Sequence, residues 1–341
     1  MKVLVWHGPR SMTVEQWEVP KPGPGEALVQ VKAVGICGSE VEGYLGQNSL
    51  RFPPLIMGHE FSGEIVEPGS MIGESPTPGI GQRVTVNPLV SCGACMYCKT
   101  GLTHVCPNRK LIGAHRPGAF ADYVVVPQRS VIPLPDTLPH TLAALTEPFA
   151  VSIHGVELAH LKPEDAVVVW GAGTIGLLAI CAARQAHPTR IIAVDTNEAR
   201  LAAATAAGAT TVLDARGDLI IERVRSLVSD VPHVVVFDAV GRSITRVASA
   251  AVAGPCGRVI LLGLHEKDTS FDVAAIIRSE IALQGCYAYS REDLHRAVAW
   301  LAAGFVPTGP WIDVRPLEAG PDAFLELADR PGAATKIVMV P

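Results

Sequence analysis

The apolar and polar positions of the chain follow two different periods. Residues 1 to about 35 alternate and are punctuated by Pro20, Pro22, Gly23, Pro24 and Gly25, and Gly25–Gly35 reads as a strand, so this end is expected to be mainly β. That strand breaks into a Gly-rich turn at Cys37-Gly38-Ser39-Glu40, a place that exposes a thiol. Phe61–Val66 alternates again, Pro68–Gly81 reads as a surface loop with three prolines and four glycines, and Gly118–Pro127 is another strand. From Leu142 to His160 the pattern turns helical, interrupted at Thr146-Glu147-Pro148.

Strands and helices alternate beyond that point. Strands are expected at 167–170, 191–194, 210–213, 234–238 and 258–263, with helices at 174–186, 197–207, 218–229 and 243–253 between them. This order predicts an α/β fold with a doubly wound parallel sheet. After about residue 285 a helix at 292–303 and short strands follow.

The first of these strands, Val167–Trp170, runs into Gly171-Ala172-Gly173-Thr174-Ile175-Gly176. The glycines of G-x-G-x-x-G allow a tight turn, close approach to a pyrophosphate, and close packing of helix on strand. The phosphates are then expected at the helix N-terminus, where unpaired N–H groups and the dipole favour negative charge. Asp195 ends the next strand, nineteen residues beyond Gly176, where a carboxylate meets a ribose 2′-OH and repels a 2′-phosphate. NAD is therefore expected over NADP. Ala166–Ala183 carries no charge over 18 residues, long enough for a membrane span. Its three glycines and the flanking Asp165 and Arg184 fit strand, loop and helix better.

Composition narrows the class. The 341 residues are 48% hydrophobic and 18% charged, as expected of two soluble globular domains. A net charge of −5 offers no attraction to nucleic acid or acidic membranes. Met1–His7 is too short and too soon polar for a signal peptide, so a cytoplasmic chain with reduced cysteines is expected. Clustered cysteines then mean metal before disulfide.

Cys92, Cys95, Cys98 and Cys106 form C-x2-C-x2-C-x7-C, a spacing that closes a tetrahedral, structural zinc site. The same loop carries only Lys99, Arg109 and Lys110 as basic residues, too few for a nucleic-acid ribbon. Cys37, His59 and Glu60 offer a thiolate, an imidazole and a carboxylate from turns between strands, which suits a catalytic zinc with an open position. Cys181, Cys256 and Cys286 read as buried small residues.

These motifs, in this order, resemble the zinc-dependent medium-chain alcohol dehydrogenases. Thr146-Glu147-Pro148-Phe149 is similar to the segment bearing the last catalytic-zinc ligand in the sorbitol (polyol) and threonine dehydrogenase branch. The resemblance implies a GroES-like catalytic domain at 1–150, completed by 286–341, and a Rossmann NAD-binding domain at 151–285, with the active site in the cleft between them. It implies that Cys37, His59 and Glu147 hold a catalytic zinc, with Glu60 beside it, and that the cysteine quartet holds a second. Ser39 matches the hydroxyl that takes the alcohol proton. Gly171, Gly173, Thr174, Ile175, Gly176, Asp195, Arg200, Leu262 and Leu264 match cofactor positions.

The implied reaction is hydride transfer between NAD and a polyol, sugar alcohol or other secondary alcohol, by a homodimer or homotetramer. A sugar-alcohol phosphate, an amino alcohol or a non-catalytic nucleotide-binding role are the alternatives. Two departures stand out: Glu42 replaces a relay histidine, and Ala288, before Tyr289, replaces an arginine that meets polyol hydroxyls.

Overall fold

The structure is a computed structural model that describes residues 1–70, 78–329, 332 and 335–341. Residues 71–77 of the expected Pro68–Gly81 loop lie outside the described residues. Two compact units divide the chain. The first contains 1–147, 290–304 and 312–341, and the second contains 148–289 and 305–311.

The first unit is mainly β. Its largest sheet orders Val131–Pro133, Arg83–Val86, Glu60–Pro68, Glu26–Gly35, Lys336–Val340 and Ile312–Pro316, and Tyr123–Pro127 also pairs with Glu26–Gly35. Glu26–Gly35 lies at the centre, with its apolar residues buried and Glu26, Gln30 and Lys32 half-buried. Two pairings set the site. Gly35 faces Glu60 across one edge of this strand, and Val338 faces Gly35 across the other. The end of the chain thereby reaches a position next to Glu60.

The expected turn at 37–40 is instead the start of a helix, Gly38–Tyr44. The Glu40 carboxylate accepts the Cys37 backbone N–H at 3.0 Å, which satisfies a donor that a helix start leaves open. Tyr44 at the far end packs on Phe324 of helix Gly320–Asp329 with ring centroids 5.6 Å apart, and Phe324 in turn meets Phe120 edge-on at 5.6 Å. Such aromatic pairs contribute about 0.5–1.5 kcal/mol beyond area burial. They anchor the helix that carries Ser39.

The interruption expected at Thr146–Pro148 falls earlier. A short helix, His140–Ala143, ends before Leu145, and Thr146–Ala159 is one continuous helix with Pro148 in its first turn. Proline is tolerated there because first-turn N–H groups have no helical partner to lose.

The second unit is built on six parallel strands: β1 (Ala166–Trp170), β2 (Arg190–Asp195), β3 (Thr211–Asp214), β4 (Val234–Asp238), β5 (Arg258–Leu261) and β6 (Ala282–Gly285). Their order is β3-β2-β1-β4-β5-β6, the doubly wound arrangement whose chain reversal lies between β1 and β4. All five residues of β1 and of β4 are buried, as the Val-rich runs demand of strands covered on both faces. Helix Thr174–Ala183 follows β1 and ends earlier than expected, in a 3-10 turn over Arg184–Ala186. Among the described residues, no helix is long and apolar enough to cross a membrane. Cys181 and Cys286 are buried, but Cys256 is exposed, in a turn with φ of 56°. A tight left-handed turn leading into β5 keeps its side chain out of the core.

Candidate active site

The quartet sits in a lobe closed by a two-stranded ladder, Leu89–Val90 against Lys110–Leu111. All four thiols are free. Their sulfurs lie 3.9 Å (Cys92–Cys98), 3.4 Å (Cys95–Cys98), 3.7 Å (Cys95–Cys106) and 3.5 Å (Cys92–Cys106) apart. A disulfide needs about 2 Å. Four sulfurs at 2.3 Å from one tetrahedral zinc sit about 3.8 Å from each other, which is the spacing found.

The protonation states point the same way. Backbone N–H groups of Ala94 and Cys95 pull the Cys92 thiol down to about 6. At Cys95 the Cys98 N–H also favours the thiolate, but burial and the neighbouring sulfurs outweigh it and push the thiol up to about 11. Thiols this close resist ionising together unless a cation is shared among them. The group fits zinc.

The second cluster brings together Cys37, His59 and Glu60, whose donor atoms all lie within 4.8 Å of one another. His59 Nδ1 lies 2.7 Å from Glu40 Oε1, and the same oxygen accepts the Gly58 N–H at 2.8 Å. Glu40 is fully buried, so this bond fixes the ring and leaves Nε2 for a metal. Burial opposes charge on both partners, but the attraction between them prevails: Glu40 is held below the usual carboxylate range and His59 well above its ordinary value. Ser39 Oγ lies 3.4 Å from Cys37 Sγ. Glu147 stands half-buried in the first turn of Thr146–Ala159, outside the 4.8 Å trio.

Two residues at this cluster carried no recognised signal in the sequence. Lys336 is buried against Glu60, with which it forms an ion pair, and its Nζ donates to the Ile36 carbonyl at 3.1 Å. Burial disfavours the ammonium, yet Glu60 and Cys37 hold Lys336 above its ordinary value. Arg51 is 3% exposed and reaches Ser39. A lone basic residue in an irregular stretch has no motif. Only its contacts single it out.

In the second unit, Gly171 and Gly176 serve packing, since a Cβ on Gly176 would sit 1.8 Å from the Gly171 carbonyl oxygen. Gly173 differs, because a Cβ there would meet nothing within 4 Å. It caps the helix Thr174–Ala183 with no side chain on the exposed N–H groups. Open space before an uncapped helix N-terminus is the cradle a pyrophosphate fills. Asp195 ends β2, where its carboxylate accepts N–H groups from Ala172 at 2.7 Å and Asn197 at 2.9 Å. Arg200 follows on helix Glu198–Ala207, with its Nε buried and unpartnered. Leu262 is half-buried, Leu264 is 74% exposed, and both follow β5. Ala288 takes a left-handed φ of 53°, and Tyr289 is buried.

Comparison with known proteins adds to this geometry. Residues 23–136 match the alcohol dehydrogenase GroES-like domain, and residues 174–303 match the zinc-binding dehydrogenase family. Sorbitol dehydrogenase of Bacillus subtilis (strain 168) is 31% identical over 347 residues, covering 100% of this chain and 97% of that protein. L-threonine 3-dehydrogenase of Chelativorans sp. (strain BNC1) is 32% identical over 345 residues, covering 99% and 98%. A zinc-binding dehydrogenase of Sinorhizobium meliloti 1021, whose crystal structure holds NADP, superposes with a TM-score of 0.91 at 31% identity, covering 100% of this chain and 99% of that one.

Proposed function

This chain belongs to the zinc-dependent medium-chain alcohol dehydrogenase superfamily, in its polyol and threonine dehydrogenase branch, and from that premise we propose that it oxidises a polyol, sugar alcohol or other secondary alcohol to the ketone with NAD. The observation that carries this reading is the Cys37–His59–Glu60 cluster, with Ser39 Oγ 3.4 Å from Cys37 Sγ. Cys37, His59 and Glu147 would hold the zinc, which when bound would supply a Lewis acid that lowers the pKa of an alcohol toward neutrality. Residues 1–150 with 286–341 form the catalytic part, and 151–285 the cofactor part.

The roles of the chain's own groups follow from their chemistry. Glu40 keeps the His59 ring in the orientation and tautomer a metal ligand needs. Ser39 accepts the alcohol proton as its own proton passes outward, with Glu42 or water as acceptor. NAD, when bound, would supply the hydride acceptor, and Leu262 and Leu264 would line its nicotinamide. The turn Gly171–Gly176, with Thr174 and Ile175, binds the pyrophosphate through backbone N–H groups. Asp195 bonds the adenosine ribose, supported by Arg200, and its fixed negative charge disfavours a 2′-phosphate. The protein acts as a cytoplasmic homodimer or homotetramer.

The test is NADH absorbance with zinc-loaded protein against polyols, sugar phosphates, amino alcohols and simple secondary alcohols, with NAD⁺ and NADP⁺ in parallel. Turnover with NAD⁺ that disappears in Cys37→Ser supports the reading. Silence across the panel, with both zincs bound, would favour a nucleotide-binding protein without turnover. Activity confined to NADP⁺ would overturn the role given to Asp195.

A further inference from the structure

Arg51 is a charged side chain buried to 3% exposure, with no carboxylate within 4.0 Å among the described residues. Burying an unpaired guanidinium is costly, so its contacts need a reason. Both terminal nitrogens serve one residue: one donates to the Ser39 carbonyl at 2.9 Å, the other to Ser39 Oγ at 3.2 Å. Nε is buried without a partner. The helix makes room for this arm. Gly43 is internal to Gly38–Tyr44, where glycine costs about 1 kcal/mol relative to alanine. A Cβ at that position would lie 2.7 Å from Arg51 Cδ.

We propose that Arg51 is a positioning residue for Ser39 in the dehydrogenase reaction, an inference that rests on the alcohol dehydrogenase reading above. A serine hydroxyl has one proton to donate and two lone pairs to accept. Arg51 is a permanent donor that never accepts, so it occupies one lone pair throughout the reaction. One lone pair and one proton remain. The free lone pair receives the alcohol proton, and the hydroxyl's own proton, which in the structure is directed at Cys37 Sγ 3.4 Å away, turns to Glu42 or water, so protons balance and Arg51 exchanges none. The second contact, to the Ser39 carbonyl, locks the same residue's backbone, and the fork therefore fixes both the place and the rotation of Oγ. A brace for the 45–55 segment alone would need only the carbonyl contact.

The experiment compares wild type, Arg51→Met, Arg51→Lys, Arg51→Ala and Gly43→Ala as zinc-loaded full-length protein, with NAD⁺ and the secondary alcohol of highest kcat/KM in the panel. Zinc content and Tm are read alongside. Arg51→Met is expected to lower kcat by about 100-fold, the cost of a misplaced reacting group, with KM changed little. Arg51→Lys, which keeps the charge but loses the fork, falls between. Added guanidinium ion restores Arg51→Ala saturably. Gly43→Ala, a better helix former, lowers kcat with KM kept, because its methyl displaces Arg51. An unchanged kcat in Arg51→Met, or loss of zinc and Tm in every variant with no guanidinium rescue, overturns the proposal and leaves the dehydrogenase reading standing. Wild type without alcohol-dependent NADH formation overturns both.

Discussion

Lys336 and Glu60, 276 positions apart in the chain, form a buried ion pair beside the candidate catalytic zinc ligands. Neither residue is more than 2% exposed. Two strand pairings bring them together, one from each edge of Glu26–Gly35. The ammonium neutralises a carboxylate that would otherwise add to the negative charge of Cys37. It also keeps Glu60 as an occupied neighbour of the cluster.

Removing one partner of such a pair leaves an uncompensated buried charge. Lys336→Met is expected to destabilise the protein by about 3–5 kcal/mol. The double variant Lys336→Met/Glu60→Gln should recover much of that loss. Urea unfolding of the single and double variants measures it, and a Lys336→Met protein as stable as wild type would contradict the role given to the pair.

The cysteine quartet and the Cys37–His59–Glu60 cluster together predict two zincs per chain in freshly purified protein. Cys106→Ser, at the one buried member of the quartet, should lower that number to one and loosen the 89–111 lobe. If the lobe is worth about 2 kcal/mol, Tm falls by roughly 3 °C in a chain of 341 residues. Atomic absorption and calorimetry on the same samples check both numbers. Two zincs retained with an unchanged Tm would rule out a structural site here.

The Gly-rich turn separates packing from ligand binding. Gly176→Ala places a methyl against the Gly171 carbonyl oxygen, so it should lower Tm and disturb the turn. Gly173→Ala meets no protein atom within 4 Å. It should leave Tm unchanged and weaken NADH binding by at least about tenfold, or ~1.4 kcal/mol. Equal NADH affinity in Gly173→Ala and wild type, by fluorescence titration, would place the pyrophosphate elsewhere.

Nucleotide choice is expected to depend on the Asp195 carboxylate, which Ala172 and Asn197 hold at 2.7 and 2.9 Å. In Asp195→Ala the ratio of kcat/KM for NAD⁺ to that for NADP⁺ should fall by at least about tenfold, the effect of ~1.4 kcal/mol of differential binding. A ratio that does not move would assign the discrimination to another group.

The sequence alone determined what depends on short spacing. The glycines at 171, 173 and 176, the four cysteines within 15 residues, the alternation of strands and helices, and the Cys37 and His59 signals are all local patterns. Each is set by backbone geometry or ligand reach over a few residues, so a single chain reveals it. The tertiary structure decided what depends on pairing between distant segments. Glu40 turned an expected loop into a helix start and also oriented His59, because its two carboxylate oxygens reach different parts of the chain. Arg51 and Lys336 carry no motif. They reach Ser39 and Glu60 only because a helix anchored by Tyr44 and a strand paired at Val338 bring them there. A buried charge gains its role from the partner beside it, and strand register and packing choose that partner.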